Sequence, residues 1–220
     1  MKVTTDGCLF GALQPQFPEE GKGKKIMDIG TGTGLLSLMT AQLNPKAQIT
    51  AIEIEPATAR EAFETFSASP FKEQIEVVEE DILVYNAGSL FHLIICNPPF
   101  YEWQLKSPDK NRNKAHHSTT LQLNQLFALV TNWLEEEGIL TLLLPFYREE
   151  EALKLGLEHG LFCEKIIRVR QTPRHEFFRI ILYLGKQPAT KMMEEITIRN
   201  ENNAYTPAFQ DLLRPFYLNI

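Results

Sequence analysis

A short apolar run followed by three closely spaced glycines constrains the fold of this chain more than any other feature. Residues 25–29 have the composition of a buried strand. The end of this strand is also the start of the motif Asp28-Ile29-Gly30-Thr31-Gly32-Thr33-Gly34. Such a strand, turn and helix start is typical of an open α/β sheet that binds a nucleoside at the carboxyl ends of its strands. A dinucleotide site has a third glycine where this chain has Leu35, so the spacing disfavours a nicotinamide dehydrogenase.

The rest of the chain alternates short apolar runs with amphipathic stretches. This pattern predicts an α/β, Rossmann-like fold with a mostly parallel seven-stranded sheet, an antiparallel edge strand and helices on both faces. The predicted strands are residues 25–29, 48–53, 75–78, 91–96, 138–144, 165–170 and 177–184. Two helices are predicted over residues 35–42 and 56–67. A third is predicted from Leu123 to Leu134, with Thr119 or Thr120 as its N-terminal cap. A fourth is predicted to include Leu153, Leu157 and Leu161, and a final short helix lies within 206–218.

Composition limits the classes of protein that fit. A chain of 220 residues with 44% hydrophobic content is long enough for one sizeable core, so we expect a single domain over residues 1–220. A formal net charge of −6 disfavours a protein that holds nucleic acid over its whole surface, although a local basic face is compatible with it. The three cysteines have no metal-ligand spacing, and no apolar run is long enough to span a membrane. We therefore expect a soluble, cytoplasmic protein without a metal.

A second motif, Asn97-Pro98-Pro99-Phe100, directly follows the strand predicted at 91–96. The Asn97 side-chain oxygen and the Pro98 carbonyl are each able to accept one N–H of a planar amide or of an amino group on a base. Pro99 helps to hold that carbonyl rigidly, and Phe100 offers an aromatic face on which an extruded base stacks. Taken alone, the motif is equally compatible with a rigid turn after a buried strand.

The two motifs together resemble those of a known enzyme class. The first is similar to the cofactor loop of S-adenosylmethionine-dependent methyltransferases, and the second to the N-P-P-[YF] motif of their N6-adenine type. More narrowly, the chain resembles the bacterial tRNA adenine-N6 methyltransferases that modify the adenine following the anticodon of a valine tRNA. The likeness runs essentially end to end and is carried by residues 1–12, 69–71, 115–117 and 205–218. Two departures are Thr4, where the family usually has Gly, and Phe100, where it more often has Tyr.

The resemblance implies S-adenosylmethionine as the cofactor. It implies that Glu53 accepts hydrogen bonds from the ribose hydroxyls of the cofactor and that Asp81 accepts one from its adenine amino group. Ile54 and Ile82 are implied to cover the adenine ring. Residues 1–20 are implied to form an N-terminal segment that covers the cofactor. The expected cofactor contacts are Thr5, Asp6, Gly7, Asp28, Gly30, Thr31, Gly32, Gly34, Glu53, Ile54, Asp81, Ile82 and Asn97.

Basic residues lie in two groups that we predict to contact RNA beside the catalytic loop. The first group follows that loop and consists of Lys106, Lys110, Arg112 and Lys114, with His116 and His117 nearby. The second lies in the late strands and consists of Lys165, Arg168, Arg170, Arg174 and Arg179. The alternative interpretation is that both groups are ordinary solvated surface.

The resemblance implies transfer of a methyl group to the N6 amino group of an adenine in the anticodon loop of valine tRNA. Asn97 and Pro98 would hold the amino group, and Phe100 would stack on the base. Two other methyltransferase reactions stay open, because N-P-P-F is also common in guanine-N2 enzymes of ribosomal RNA and N-P-P in glutamine-N5 enzymes of proteins. The intact Asn97 disfavours a catalytically silent cofactor-binding module. The oligomeric state is left open, with a monomer slightly favoured.

Overall fold

The alternating pattern of the sequence folds into one sheet with helices on both faces. The computed structural model describes residues 4–18, 23–98 and 122–218. In this part of the chain the strands are β1 Lys25–Ile29, β2 Gln48–Glu53, β3 Ile75–Glu79, β4 Phe91–Cys96, β5 Leu134–Pro145, β6 Phe162–Arg170, β7 Phe177–Gly185 and β8 Met192–Thr197. The helices are α1 Thr5–Ala12, α2 Leu35–Leu43, α3 Pro56–Ser67, α4 Leu123–Trp133, α5 Glu149–Glu158 and α6 Pro207–Leu213, with a 3₁₀ turn over Phe146–Arg148.

The strands lie in the order β3-β2-β1-β4-β5-β7-β6-β8. Strands β1 to β5 pair in parallel, whereas β7 runs antiparallel to both β5 and β6. The predicted fold class is therefore confirmed. Within the described residues the sheet has eight strands rather than the predicted seven, because β8 adds to β6 in parallel at the outer edge. Its residues Met192 to Glu195 are all exposed, so the apolar pattern that marks a buried strand is absent from this segment.

Two apolar cores lie on opposite faces of the sheet, as the two-residue period of a strand requires. Ile26 and Ile95 point to the face covered by α1, α2 and α6. Met27 and Ile94 point to the other face, which α4 and α5 cover. Because the central strands are buried on both sides, their sequences are mostly apolar, and this made them predictable.

Two glycines pack closely against neighbouring helices, one in α1 and one at the end of the loop of residues 30–34, which we call the glycine loop. A Cβ at Gly11 of α1 would lie 2.4 Å from Met39 Sδ of α2, so a larger residue at this position would require the Met39 side chain to move. Gly34, which precedes α2, has φ +91°. A Cβ at Gly34 would lie 2.3 Å from the Phe66 ring of α3. This glycine therefore serves backbone conformation and packing at the base of the loop.

The helix predictions differ from the structure in three details. Helix α1 was not predicted, because its sequence TDGCLFGA is buried along most of its length and shows no polar stripe. Helix α4 is capped by Gln122, which forms a capping box with Gln125; the predicted caps Thr119 and Thr120 lie outside the described residues. Leu157 faces solvent with 61% exposure, whereas Leu161 is buried beyond the end of α5. Among the described residues, no helix is long and apolar enough to cross a membrane.

Candidate active site

Three candidate segments begin at the same edge of the sheet, where parallel strands end. Ile29 of β1 pairs with Ile52 of β2 on one side and with Cys96 of β4 on the other. Gly30, Glu53 and Asn97 therefore follow directly after aligned positions on three adjacent strands. Neighbouring strands are about 4.8 Å apart, so both sequence motifs open at one edge of the sheet. This edge is also the point where the strand order reverses, which is the usual ligand site of such folds.

The glycine loop is tied to β2 through Glu53. The Gly32 N–H donates to Glu53 Oε2 at 2.9 Å, and the Glu55 N–H donates to Glu53 Oε1 at 3.0 Å. Each carboxylate oxygen has a second lone pair, so Glu53 retains the capacity to accept further hydrogen bonds. Gly30 has φ +71°, and no atom of the described residues lies within 4 Å of the position that its Cβ would take. Among the described residues, the loop is therefore open at Gly30.

Asp28 lies inside the loop and has no exposed surface. Its Oδ2 accepts hydrogen bonds from the hydroxyls of Thr31 and Ser37, each at 2.7 Å. Its Oδ1 is buried without a hydrogen-bond partner in the described part of the chain. Burial raises the pKa of Asp28 to about 6, with a smaller contribution from the nearby Glu53 charge, although the two hydroxyls act in the opposite direction. Asp28 thus holds the glycine loop and the start of α2 together through these two hydroxyls.

Asn97 carries an acceptor atom that no described residue uses. Its Oδ1 is buried and has no hydrogen-bond partner among the described residues. An unpaired buried acceptor costs free energy, so it is retained where a ligand supplies the donor. Pro98 is buried beside it, while the candidate residues Pro99 and Phe100 lie outside the described residues. The preceding Cys96 is buried, and burial raises the pKa of its thiol, so it is a core residue and not a nucleophile.

The candidate adenine-side residues follow β2 and β3. Asp81 Oδ1 accepts a hydrogen bond from the Leu83 N–H at 2.9 Å, which fixes the turn after β3. Ile82 is buried in the core on the α4 face of the sheet, whereas Ile54 is half exposed at the end of β2. Of the two isoleucines, Ile54 therefore offers the open apolar surface at this edge.

Helix α1 brings the N-terminal candidate residues to the same edge. The Thr4 hydroxyl accepts a hydrogen bond from the Gly7 N–H at 3.3 Å, so the residue that departs from the family pattern caps the helix. A Cβ at Gly7 would lie 3.7 Å from Leu35 Cδ2, which places Gly7 against the start of α2. Thr5 is exposed in this first turn. These contacts set the start of α1 beside the end of the glycine loop.

Asp6 links this segment to β7. Arg179 Nε donates to Asp6 Oδ2 at 2.8 Å, and both side chains are mostly buried. Burial raises the pKa of Asp6, but a hydrogen bond with Thr4 and the Arg179 guanidinium outweigh it, so the pKa lies below its usual value. Arg179, which the sequence analysis assigned to RNA, is thus a structural partner of the N-terminal segment.

The other late-strand cations are also paired with carboxylates. The nitrogen–oxygen distances are 2.9 Å for Lys165–Glu194, 2.6 Å for Arg168–Glu149, 3.4 Å for Arg170–Glu195 and 3.6 Å for Arg174–Glu201. Only the Arg174 pair has both side chains well exposed, so Arg174 exchanges its partner at the lowest cost. The earlier basic group, Lys106, Lys110, Arg112 and Lys114 with His116 and His117, lies outside the described residues.

Ser37 is a site residue that sequence reasoning missed. Its hydroxyl binds Asp28 from the first turn of α2, but a serine near a helix start is too common to signal a role in a loop. In the ranges 4–18, 23–98 and 122–218, no group of His, Cys, Asp or Glu side chains is placed to hold a metal ion.

Comparison with known proteins identifies the family of this site. Residues 10–144 match the model of the methyltransferase small domain. The chain belongs to the methyltransferase small domain family. The resemblance to tRNA adenine-N6 methyltransferases is also confirmed, because the chain is 34% identical, over all of its length, to the "tRNA1(Val) (adenine(37)-N6)-methyltransferase" of Actinobacillus pleuropneumoniae serotype 7 and covers 92% of that protein.

Solved methyltransferase structures share the fold of this family member. A predicted O-methyltransferase from Agrobacterium tumefaciens matches with a TM-score of 0.73 at 19% identity, and the match covers 96% of each chain. The glycopeptide N-methyltransferase MtfA, solved in complex with S-adenosylmethionine, matches with a TM-score of 0.56 at 10% identity and covers 76% of this chain and 89% of its own. At these identities the matches establish the fold.

The buried carboxyl of Asp28 predicts a pH dependence of stability. Because its folded-state pKa is raised to about 6, the folded state binds a proton more tightly than the unfolded chain does. The free energy of unfolding should fall as pH rises from about 4 to about 6, by up to ~3 kcal/mol, and then level off. Urea unfolding of the wild type and of Asp28→Asn at several pH values measures this difference.

The neutral variant lacks the titrating group, so its stability should change less across this window. Ser37→Ala, which removes one hydroxyl donor, should move the transition to higher pH. Parallel pH profiles for the wild type and Asp28→Asn would show that Asp28 does not titrate in this range.

Proposed function

We propose that this methyltransferase transfers a methyl group from S-adenosylmethionine to the N6 amino group of an adenine in a tRNA anticodon loop, at the position after the anticodon of a valine tRNA. The observation that carries the proposal is the buried Oδ1 of Asn97, which has no hydrogen-bond partner among the described residues. Asn97 directly follows β4, which pairs with the strand that leads into the glycine loop. The name of the relative with 34% identity supports adenine as the base and tRNA as the substrate.

The residues at this edge fit a nucleoside cofactor. Gly30 leaves open space where any other residue would place a Cβ, and Glu53 has lone pairs free for ribose hydroxyls. Ile54 offers exposed apolar surface beside them. When bound, S-adenosylmethionine supplies a methyl group on a positively charged sulfur, which an amino nitrogen attacks. We assign Gly30, Gly32, Glu53, Ile54 and Asp81 to cofactor binding, with Asp28, Thr31 and Gly34 shaping the loop and Ile82 packing beneath it.

Asn97 and Pro98 orient the attacking amino group. An exocyclic amino group is a weak nucleophile because its lone pair is delocalised into the ring. Two acceptors that each bind one N–H favour a nitrogen whose lone pair points away from the ring plane. The Asn97 side-chain oxygen is one acceptor and the Pro98 carbonyl is the other. The excess proton leaves to water after transfer, so no basic side chain is needed at this point.

The N-terminal segment, residues 1–20, covers the cofactor in this proposal. Its helix α1 begins beside the glycine loop, and Asp6 and Arg179 fix this helix to β7. Thr5, Asp6 and Gly7 thereby lie at the edge where the cofactor loop opens. The Asp6–Arg179 ion pair acts as a positioning contact, because each side chain balances the charge of the other.

In this proposal two groups of basic residues hold the RNA. One group follows Asn97 in the sequence, and the other lies in or next to strands β6 and β7. Lys106, Lys110, Arg112 and Lys114 follow the catalytic motif in sequence and are assigned to phosphate contacts. In the late strands Arg174 is the most accessible cation, while Arg168 and Arg170 are held by carboxylates and contribute after partner exchange. A target in a single-stranded loop suits this arrangement, since an unpaired base is extruded at little cost.

Methyl transfer from radiolabelled S-adenosylmethionine to separate pools of tRNA, ribosomal RNA and protein tests the proposed function. We expect label in tRNA only, and nucleoside mass analysis should identify it as N6-methyladenosine. Label in N2-methylguanosine of ribosomal RNA would point to the guanine-N2 reaction, and label in protein glutamine to the N5 reaction. Either of these results would overturn the proposal.

Asn97→Ala should separate catalysis from cofactor binding. The variant removes the acceptor for the target amino group, so transfer should fall by about 100- to 1000-fold, a loss typical of a polar group that orients a reacting centre. S-adenosylmethionine affinity, measured by calorimetry, should stay within a few-fold of wild type. Full methyl transfer by this variant would show that the motif is only a turn.

Arg179→Ala tests the N-terminal segment. Loss of the guanidinium leaves the Asp6 carboxylate without its partner, so α1 should exchange its amide hydrogens faster and S-adenosylmethionine should bind about 3- to 10-fold more weakly. Arg168→Ala is a matched control, because it removes a similarly buried, carboxylate-paired arginine that does not touch α1. Equal cofactor affinity in the two variants would contradict a covering role for the segment.

A further inference from the structure

The turn after β5 presents an aromatic side chain to solvent at the active edge of the sheet. Tyr147 lies in the 3₁₀ turn Phe146–Arg148, and its side chain is 62% exposed. Leu142 of β5 pairs with Cys96, so Leu143 is level with Asn97. Tyr147 follows four residues later, at most ~13 Å along the strand direction at about 3.3 Å per residue. This distance is within reach of a nucleotide next to one held at Asn97.

The neighbours of Tyr147 on both sides are anchored. The Phe146 ring packs against the Phe177 ring with centroids 5.5 Å apart, and the Arg168 guanidinium lies 5.6 Å from the Phe146 centroid. Arg168 in turn donates two hydrogen bonds to Glu149, at 2.9 and 2.6 Å.

Arg148, which follows Tyr147 in the sequence, is also held in place. It donates two hydrogen bonds to Glu151 of α5, at 2.8 and 2.9 Å. Among the four residues 146–149, Tyr147 is therefore the one whose side chain has no such contact within the described part of the chain. An aromatic group on a rigid turn loses little conformational entropy when it binds, which favours a stacking role.

The charges around the turn indicate the chemistry of its partner. Arg148, Arg168 and Arg170 each face a carboxylate, so this part of the edge carries little net positive charge to attract phosphates. An exposed aromatic face without a strong positive field suits the apolar face of a base. Recognition of unpaired RNA bases by stacking on aromatic side chains is the general mode for single-stranded loops.

We infer that Tyr147 stacks on the base of an unpaired nucleotide adjacent to the methylated one, and so helps to select a single-stranded loop as substrate. The inference rests on the proposed function and adds a substrate contact that lies outside both sequence motifs. The contact acts on RNA binding, because Asn97 and Pro98 already hold the attacking amino group in the proposed function.

Steady-state methylation of a synthetic valine anticodon stem-loop tests this contact. Tyr147→Ala should raise KM for the stem-loop about 10-fold, as expected for the loss of one base–aromatic stack, with a much smaller change in kcat. Tyr147→Phe should recover most of the loss, since the ring is kept. Phe63→Ala is the matched control, because Phe63 is equally exposed, at 61%, on α3, and its removal should leave KM unchanged.

Stem-loops with an abasic nucleotide on the 5′ or the 3′ side of the target distinguish stacking from a general effect. With the correct side made abasic, wild-type KM should itself rise about 10-fold and Tyr147→Ala should add little. The inference would be overturned if Tyr147→Ala had the same KM as the wild type. It would also be overturned if, on both abasic substrates, Tyr147→Ala still had a KM about 10-fold above that of the wild type. If the wild-type enzyme methylated no tRNA stem-loop at all, the proposed function would fail instead, so the two failures are distinguishable.

Discussion

The register between β1 and β4 is the constraint on which the site depends. Ile29 and Cys96 are paired, so the glycine loop and Asn97 begin at the same level on adjacent strands. The pairing is held from both faces, since Ile26 and Ile95 pack into one core and Met27 and Ile94 into the other. A slip of two residues would keep the faces but move Asn97 by about 6.6 Å, which is more than a hydrogen bond tolerates. Packing in the sheet interior thus sets the geometry of the reacting groups at its edge.

The charge distribution explains how an acidic chain is compatible with an RNA substrate. With a net charge of −6, long-range attraction to phosphates is weak, and the late-strand arginines are already engaged with carboxylates. Arg168 and Arg170 also lie over the rings of Phe146 and Phe177, so they belong to mixed ion-pair and aromatic contacts. Such cations rigidify the edge more than they attract a polyanion. Specificity at this edge would therefore come from the shape and bases of a loop.

The parts of the fold that could be predicted are those with a strong local signal. The boundaries of β1, β2, β4 and α3 agree with the sequence prediction, because continuous apolar runs or a proline at the first helical turn mark them. Helix α1 and strand β8 escaped prediction for opposite reasons. Tertiary packing buries α1 on almost every side, whereas β8 is an exposed edge strand that is specified mainly by its pairing with β6.

The same distinction applies to the site. Glycine spacing and the Asn-Pro-Pro sequence are local patterns, so the loop and Asn97 could be recognised in advance. The Asp6–Arg179 pair joins residues that are 173 positions apart, and no local pattern reports it. Sequence reasoning placed Arg179 in an RNA-binding group from its charge alone. The contact of Arg179 with Asp6 depends on the antiparallel direction of β7, which brings the start of that strand to the carboxyl edge.

Asp28 shows that stability and site geometry make different demands on one residue. A fully buried carboxylate with an unpaired oxygen destabilises the folded state at neutral pH, where the unfolded chain would solvate the charge. An apolar side chain would avoid that cost but could not accept the two hydroxyl hydrogen bonds from Thr31 and Ser37. Those bonds connect the end of β1, the glycine loop and the first turn of α2. The carboxylate therefore fixes the glycine loop beside Glu53, and the buried charge holds the backbone of this loop in one conformation.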